Sequence, residues 1–410
     1  MSDFDLVIRN ARTRTSKEPV EIGISEGKIS KIGKSVGKGE REIDAGGNLV
    51  TESFVNAHLH MCKVYTLEMI GEEAMRAYQE GGMDKAMVAI ELASEVKRRY
   101  KADWIYENAK RALLLGIKHG VLHYRAFVDT DTKGKLEGIK ALLKLRDDFR
   151  QYVDLQVVAF PQDGVIRDPG SEELVRKAVE LGADVVGGIP WIEYTEEDAQ
   201  RHVDLMFDIA VEHNRDIAML TDDAGDPGLR TTEMLVRRGI REGWIGRVEV
   251  CHARAMQLYP GPYFEKLAAL LKRCDAGVIS DPHTGPLHAR VFELLERGVT
   301  VGLGQDDIAD AYYPYGQNSM LEVAFLASHL LWATTFRKMD ILYDMITVNP
   351  AKILRLPNYE LKEGGRADLV VLNARSVYEA LMYQDPPLLV IRNGEVIAEN
   401  RQETRYNLSF

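Results

Sequence analysis

His58 and His60 are separated by one residue. In an extended strand, residues i and i+2 face the same side, so both imidazoles can point at one spot. Imidazole nitrogen is a borderline ligand that suits divalent first-row metals. The spacing alone decides little, because two partly exposed loop histidines give the same pattern. Two further groups strengthen it. His252 ends the apolar run RVEVC, and Asp306-Asp307 follow the apolar run TVGLG, with Gln305 between. Adjacent aspartates usually mark a solvated loop or a helix cap. Behind a wholly apolar strand they read instead as carboxylates aimed at a site. His58, His60 and Asp306, with His252 nearby, could hold one divalent ion: zinc or iron, with manganese also compatible with N/O ligands. Such an ion lowers the pKa of water from about 15.7 to roughly 7, and a carboxylate beside it can move the released proton.

For these groups to meet, the chain must bring distant strand ends together. Eight short apolar runs end in polar or small residues: 48–60, 120–129, 153–164, 183–191, 216–223, 247–255, 276–283 and 300–307. Between them lie helical patterns such as SEELVRKAVEL and HVDLMFDIAVEH, apolar at i, i+3 and i+4. Strands alternating with helices imply a parallel sheet. Eight such units in about 250 residues imply a closed, TIM-like (β/α)8 barrel, in which side chains at the C-terminal strand ends line the active site. The stretch 62–117 reads as two or three helices after the first strand. Both ends of the chain are β-rich, and Asn393-Gly394 is a strong hairpin signal. The expected architecture is α/β: a barrel over 53–356 and one small β-sandwich built from 1–52 and 357–410.

Composition narrows the partners. The chain has 410 residues, 52 basic and 63 acidic, for a net charge of −11. No basic stripe offers a path for phosphates, so nucleic acid is not an expected partner. Cys62, Cys251 and Cys274 are too few and too scattered for a disulfide framework, which fits a reducing compartment. The opening MSDFDLVIRN lacks a secretory pattern, and no run of about 18 apolar residues occurs. A cytoplasmic location without membrane contact is the expectation, and a closed homo-oligomer is the base-rate assembly.

The segments VNAHLH, LQVVAFPQDG, VEVCHARAM, GLGQDDIADAYYPYGQNSM and GGRADLVVLN…IRNGEVI resemble the amidohydrolase superfamily. Within it, the cytosine deaminase and N-isopropylammelide aminohydrolase group is most similar, over nearly the whole chain. The resemblance implies that His58, His60 and Asp306 bind metal, and that Asp306 also takes a proton from water. It makes His252 the sixth-strand histidine that polarises the attacked group or orients the water. Gln156 is matched to the residue that hydrogen-bonds the substrate's amide edge. Asp307 and Tyr312 are matched to contacts with the heterocycle, although the family usually has Trp at the second place. The third strand end carries no Lys to be carbamylated, which implies a mononuclear site.

The fifth strand end departs from the pattern. Relatives carry a ligand His there, followed by an acidic or His proton shuttle. This chain has Leu220 at the ligand position and Asp223 at the shuttle. Three readings stay open: Asp222 moves in as ligand, His252 becomes a ligand, or the metal is lost with the activity. Cys62-Lys63 replaces the usual Asp-Lys; Cys62 reads as a small buried residue and Lys63 as a surface lysine. Trp191 reads equally as pocket wall or core, and His283 as a loop histidine within reach of the site. The expected function is removal of an amine from a small nitrogen heterocycle of pyrimidine or triazine type. The alternatives are hydrolysis of another C–N bond, in a cyclic amide or N-acyl compound, or a metal-free, non-catalytic ligand-binding relative.

Overall fold

The computed structural model describes residues 2–70, 72, 76, 90 and 94–408. Among the described residues, sixteen strands fall into three sheets. The first is β1 (Phe4–Ala11), β2 (Val20–Ser25), β3 (Lys28–Gly33) and β4 (Gly39–Asp44), ordered β3-β2-β1-β4. Next comes the short β5 (Val50–Glu52). The barrel strands follow: β6 (Phe54–Leu59), β7 (Val121–Asp129), β8 (Asp154–Phe160), β9 (Val185–Gly188), β10 (Asp216–Thr221), β11 (Val248–His252), β12 (Gly277–Ser280) and β13 (Val301–Leu303). At the end of the chain, β14 (Leu369–Val371), β15 (Leu389–Arg392) and β16 (Glu395–Glu399) join β5 in an antiparallel sheet ordered β16-β15-β14-β5.

The chain divides into two compact units. One comprises 1–54, 116–122 and 357–410; the other comprises 55–115 and 123–356. In the first, Leu6, Ile8, Ile22, Ile24 and Ile29 share a core with Val50, Leu369, Val371 and Ile391. Each such side chain contributes about 1.5–3 kcal/mol when fully buried. The Asn393-Gly394 turn has φ of 50° and 80° at its two positions, both positive as a type I′ hairpin needs.

In the second unit the strands β6 to β13 are neighbours in chain order, and the paired registers from β7 to β13 are parallel. All eight apolar runs of the sequence contain one of these strands. A parallel bridge between Leu59 and Asp306 joins the last strand's end to the first. Helices separate the strands: α1 (Ala102–Lys118), α2 (Glu137–Phe149), α3 (Ser171–Leu181), α4 (Glu196–Glu212), α5 (Thr231–Glu242), α6 (Gly261–Cys274), α7 (Val291–Glu296) and, after β13, α8 (Met320–Leu330). Their pattern is visible in α4. Ala199, Val203, Met206, Phe207 and Ala210 are buried along one stripe, and the Thr195 side chain caps the N-terminus by accepting from Asp198 N. Of the helices expected within 62–117, α1, the turn Leu67–Ile70 and the 3₁₀ segment Glu95–Arg99 are seen. The remainder of that expectation, at 71, 73–75, 77–89 and 91–93, lies outside the described residues. Among the described residues, no helix is long and apolar enough to cross a membrane.

Deep in the barrel, Arg125 Nη1 donates to Glu249 Oε2 at 2.6 Å, and its Nη2 donates to Gln156 Oε1 at 2.6 Å. Gln156 Nε2 donates in turn to the Leu354 carbonyl. A buried arginine is tolerated only when its donors are taken up in this way.

Candidate active site

His58 lies at the end of β6 and His60 just beyond it. His60 N donates to the Asp306 carbonyl at 2.7 Å, and Asp306 N donates to the His58 carbonyl at 2.8 Å. Asp306 adopts φ 62°, a left-handed conformation that a carboxylate residue tolerates better than most. Asn56 fixes the same junction by accepting from Gln305 N and donating to Asn318 Oδ1. Backbone pairing thus sets three of the chemical side chains beside one another. His252 arrives from the end of β11.

The three imidazoles converge on one oxygen. The Nε2 atoms of His58, His60 and His252 stand 3.1, 3.3 and 3.8 Å from Asp306 Oδ1. For a tetrahedral ion with bonds of roughly 2 Å, neighbouring ligand atoms lie about 3.3 Å apart. Both nitrogens of His58, both of His252, His60 Nδ1 and Asp306 Oδ1 are buried without a hydrogen-bond partner of good geometry. Buried polar atoms are normally satisfied, so this donor set fits a divalent cation.

Electrostatics prepares the same set. Burial, aided by Lys63, pulls His60 down to about 3. Burial pulls His252 down to about 4 against Asp223 and Asp306, which favour its charge. Both rings are therefore neutral and ligand-ready at neutral pH. His58 is shifted up: burial opposes its charge, but Asp281 and Asp306 outweigh it. Asp306 is held well below the usual carboxylate range: burial opposes ionisation, and His252, His58 and His60 overcome it. Asp307 is pushed well up by burial, then by Asp306 and Asp310.

A cavity opens on this cluster. His60, His252, Asp306, Asp307, Asp223, Tyr312, Trp191 and Leu220 all line it. Trp191 is thus pocket wall. Asp223 Oδ1 stands 3.6 Å from His252 Nδ1 and accepts from Arg254 Nε. Asp281 Oδ2 is 3.5 Å from the same His252 nitrogen. His283 brings a nitrogen near Asp306 and Asp307, and its ring rests on Tyr313 with centroids 4.1 Å apart.

Three sequence expectations need correction. Gln156 does not reach the cavity. It lies near the start of β8, where Arg125 and the Leu354 carbonyl occupy its amide. Gln162, just past the end of that strand, lines the cavity instead. Lys63 is no surface lysine: it is 6% exposed, lines the cavity, donates to Gln162 Oε1 and lies over the Tyr312 ring. Asp222 is no ligand either. Its carboxylate caps α5 by accepting from Thr231 N and Thr232 N, and it also accepts from Tyr259 Oη. Cys62 is buried as expected, with burial pushing its thiol well up. The sequence reading missed Arg254, which is 6% exposed and in the cavity wall. Its signal was a charged residue inside VEVCHARAM, at a strand end already marked by His252.

Comparison with known proteins gives an independent measure. Residues 41–398 match the amidohydrolase family. The chain is 33% identical over 404 residues to the N-isopropylammelide isopropyl amidohydrolase of Pseudomonas sp. (strain ADP), covering 97% of this chain and 98% of that one. It is 23% identical over 378 residues to the pterin deaminase of Rhizobium rhizogenes (strain K84), covering 88% and 83%. Among solved structures it is similar to 5-methylcytosine deaminase from Klebsiella pneumoniae liganded with 5-fluorocytosine. The TM-score is 0.89 at 30% identity, over 98% of this chain and 99% of that chain.

Proposed function

The chain belongs to the amidohydrolase family, and on that premise we propose that it removes an amine from a small nitrogen heterocycle, of aminopyrimidine or triazine type, by metal-dependent hydrolysis. One observation supports this above all others: three imidazole Nε2 atoms stand 3.1, 3.3 and 3.8 Å from Asp306 Oδ1 at the cavity floor. His58, His60, His252 and Asp306 would hold one divalent ion, zinc or iron, with manganese suited to the same donors. When bound, the ion supplies a nucleophile at neutral pH by lowering the pKa of water to roughly 7.

The chain's own groups do the rest. Asp306 accepts the water's proton on its carboxylate and returns it to the departing nitrogen. Asp223, 3.6 Å from His252 Nδ1, steadies that ring and takes part in the proton path. Gln162, Asp307 and Lys63 offer acceptors and donors to the edges of a flat ring, while Tyr312 and Trp191 offer it aromatic surface. Leu220 and Ile189 keep another part of the wall dry.

The Asp223–Arg254 pair favours a second reading, hydrolysis of a cyclic amide or N-acyl C–N bond, because it alters the fifth-strand group that would serve the leaving nitrogen. Both readings meet one experiment. Protein purified without added metal is assayed for bound ions, then for ammonia or alkylamine release from a panel of aminopyrimidines and triazines, and for hydrolysis of a matching panel of cyclic amides and N-acyl compounds. One ion per chain and amine release are expected. Absence of any ion, or a loaded protein silent on the whole panel, overturns the leading reading; turnover of cyclic amides alone selects the second.

A further inference from the structure

We propose that Asp281 is a positioning residue for the metal centre: its carboxylate takes the N–H of His252 and, packed against His58, helps to hold both rings with Nε2 towards the ion. The inference rests on the metal reading argued above. Asp281 directly follows β12, and Pro282 after it restricts its backbone to the extended region, where φ is −113° and ψ is 100°. Its side chain is wholly buried, and Oδ2 stands 3.5 Å from His252 Nδ1. That is a few tenths of an ångström beyond an ordinary N–H···O bond. One ring nitrogen each of His58 and His252 and one oxygen of Asp281 all lie within 4.8 Å of one another. Gly304, just past β13, leaves the room for this. A Cβ there would collide with both Asp281 Oδ1 and His58 Cβ, so the two side chains meet over a residue that has none.

The chemistry of the ring points the same way. A neutral imidazole has one N–H. With Nε2 given to an ion, that hydrogen sits on Nδ1, and a liganding histidine almost always donates it to a carboxylate, a carbonyl or water. Two carboxylates flank His252 Nδ1: Asp223 Oδ1 at 3.6 Å and Asp281 Oδ2 at 3.5 Å. They are not equivalent. Asp223 Oδ1 already accepts from Arg254 Nε, and Asp223 lines the cavity, where a proton can be passed to a substrate. Asp281 has no side-chain exposure, and a hydrogen bond in such surroundings is stronger than one shared with water. Asp281 thus supplies the bond that orients the ring, and Asp223 faces the cavity for the proton path.

Cobalt(II) is the probe, added to chelator-treated full-length protein, with affinity read by competition against a chromophoric chelator. Asp281→Ala should weaken binding about 10–100-fold, the usual effect of removing such a partner. Asp281→Asn loses the charge but keeps an acceptor oxygen, and should stay within about threefold of wild type. In zinc-loaded protein carrying isotope-labelled histidine, NMR should place the His252 hydrogen on Nδ1 and find it protected from exchange. Asp281→Ala should abolish that protection. Circular dichroism melting shows which variants are folded, and the wild-type spectrum decides alone if Asp281→Ala is not. Three results each overturn the assignment and leave the metal reading standing: a folded Asp281→Ala that binds cobalt like wild type, an Asp281→Asn as weak as Asp281→Ala, or a wild-type His252 without a protected Nδ1–H. A wild type that binds neither cobalt nor zinc overturns both.

Discussion

Leu220 lines the cavity at the strand end where the sequence resemblance leads one to expect a ligand. With Leu220 in that place, His252 is the third imidazole near Asp306 Oδ1. Asp306→Asn should therefore lower turnover by about 10²–10⁴-fold, the span typical of losing a positioned general base. Leu220→His should slow metal loss to a chelator, measured by the rate of ion release, since it restores a nitrogen donor at the mouth of β10. The two glutamines separate chemistry from architecture. Gln162→Ala should raise KM and cost less stability than the loss of Gln156, because Lys63, which loses its acceptor, lines the cavity and can turn to water there. Gln156→Ala should leave KM alone and destabilise by about 1–3 kcal/mol, because Arg125 loses an acceptor it cannot replace from water. Denaturant titration and steady-state kinetics on the two variants check both halves. The sequence exposed the right segment, LQVVAFPQDG, but not which glutamine stands at its top. Height along a barrel strand depends on where the strand stops, and apolar alternation does not mark that stop. Lys63 was illegible for a related reason: its partners Gln162 and Tyr312 lie about 100 and 250 residues away.

At the scale of elements, strand identity was readable because parallel barrel strands, buried on both faces, are continuous apolar runs. Each of the eight runs contains its strand, and His58, His60, His252 and Asp306 lie at or just beyond strand ends, as the barrel rule requires. The role of Asp222 was not readable, because the same aspartate at a strand end suits a ligand or a cap. Its backbone, at φ 48°, turns the carboxylate onto α5. Asp222→Ala should accordingly cost about 1–2 kcal/mol from the lost cap, with further loss from the stranded Tyr259 hydroxyl. It should not reduce bound metal. Urea unfolding with metal analysis of the folded variant tests both statements.

For the whole molecule, the site couples protonation to folding. Burial holds His60 at about 3, and His252 and His283 at about 4, below the ordinary value of about 6.5. In chelator-treated protein, the unfolded chain binds protons at these rings at a pH where the folded chain does not. Stability must then fall as pH drops from about 6.5 towards 4, by up to ~1.4 kcal/mol per pH unit for each ring. His58, shifted the other way, offsets part of this. Urea midpoints at pH 7, 6 and 5 measure the slope, and a flat profile would contradict the assignment of buried neutral rings. One last consequence comes from the paired amides at residues 60 and 306. They join the first and last staves of a hoop, and the side chains of three proposed ligands hang from that join. An ion gripped there acts as a clasp, so its arrival should slow deuterium uptake at both amides together.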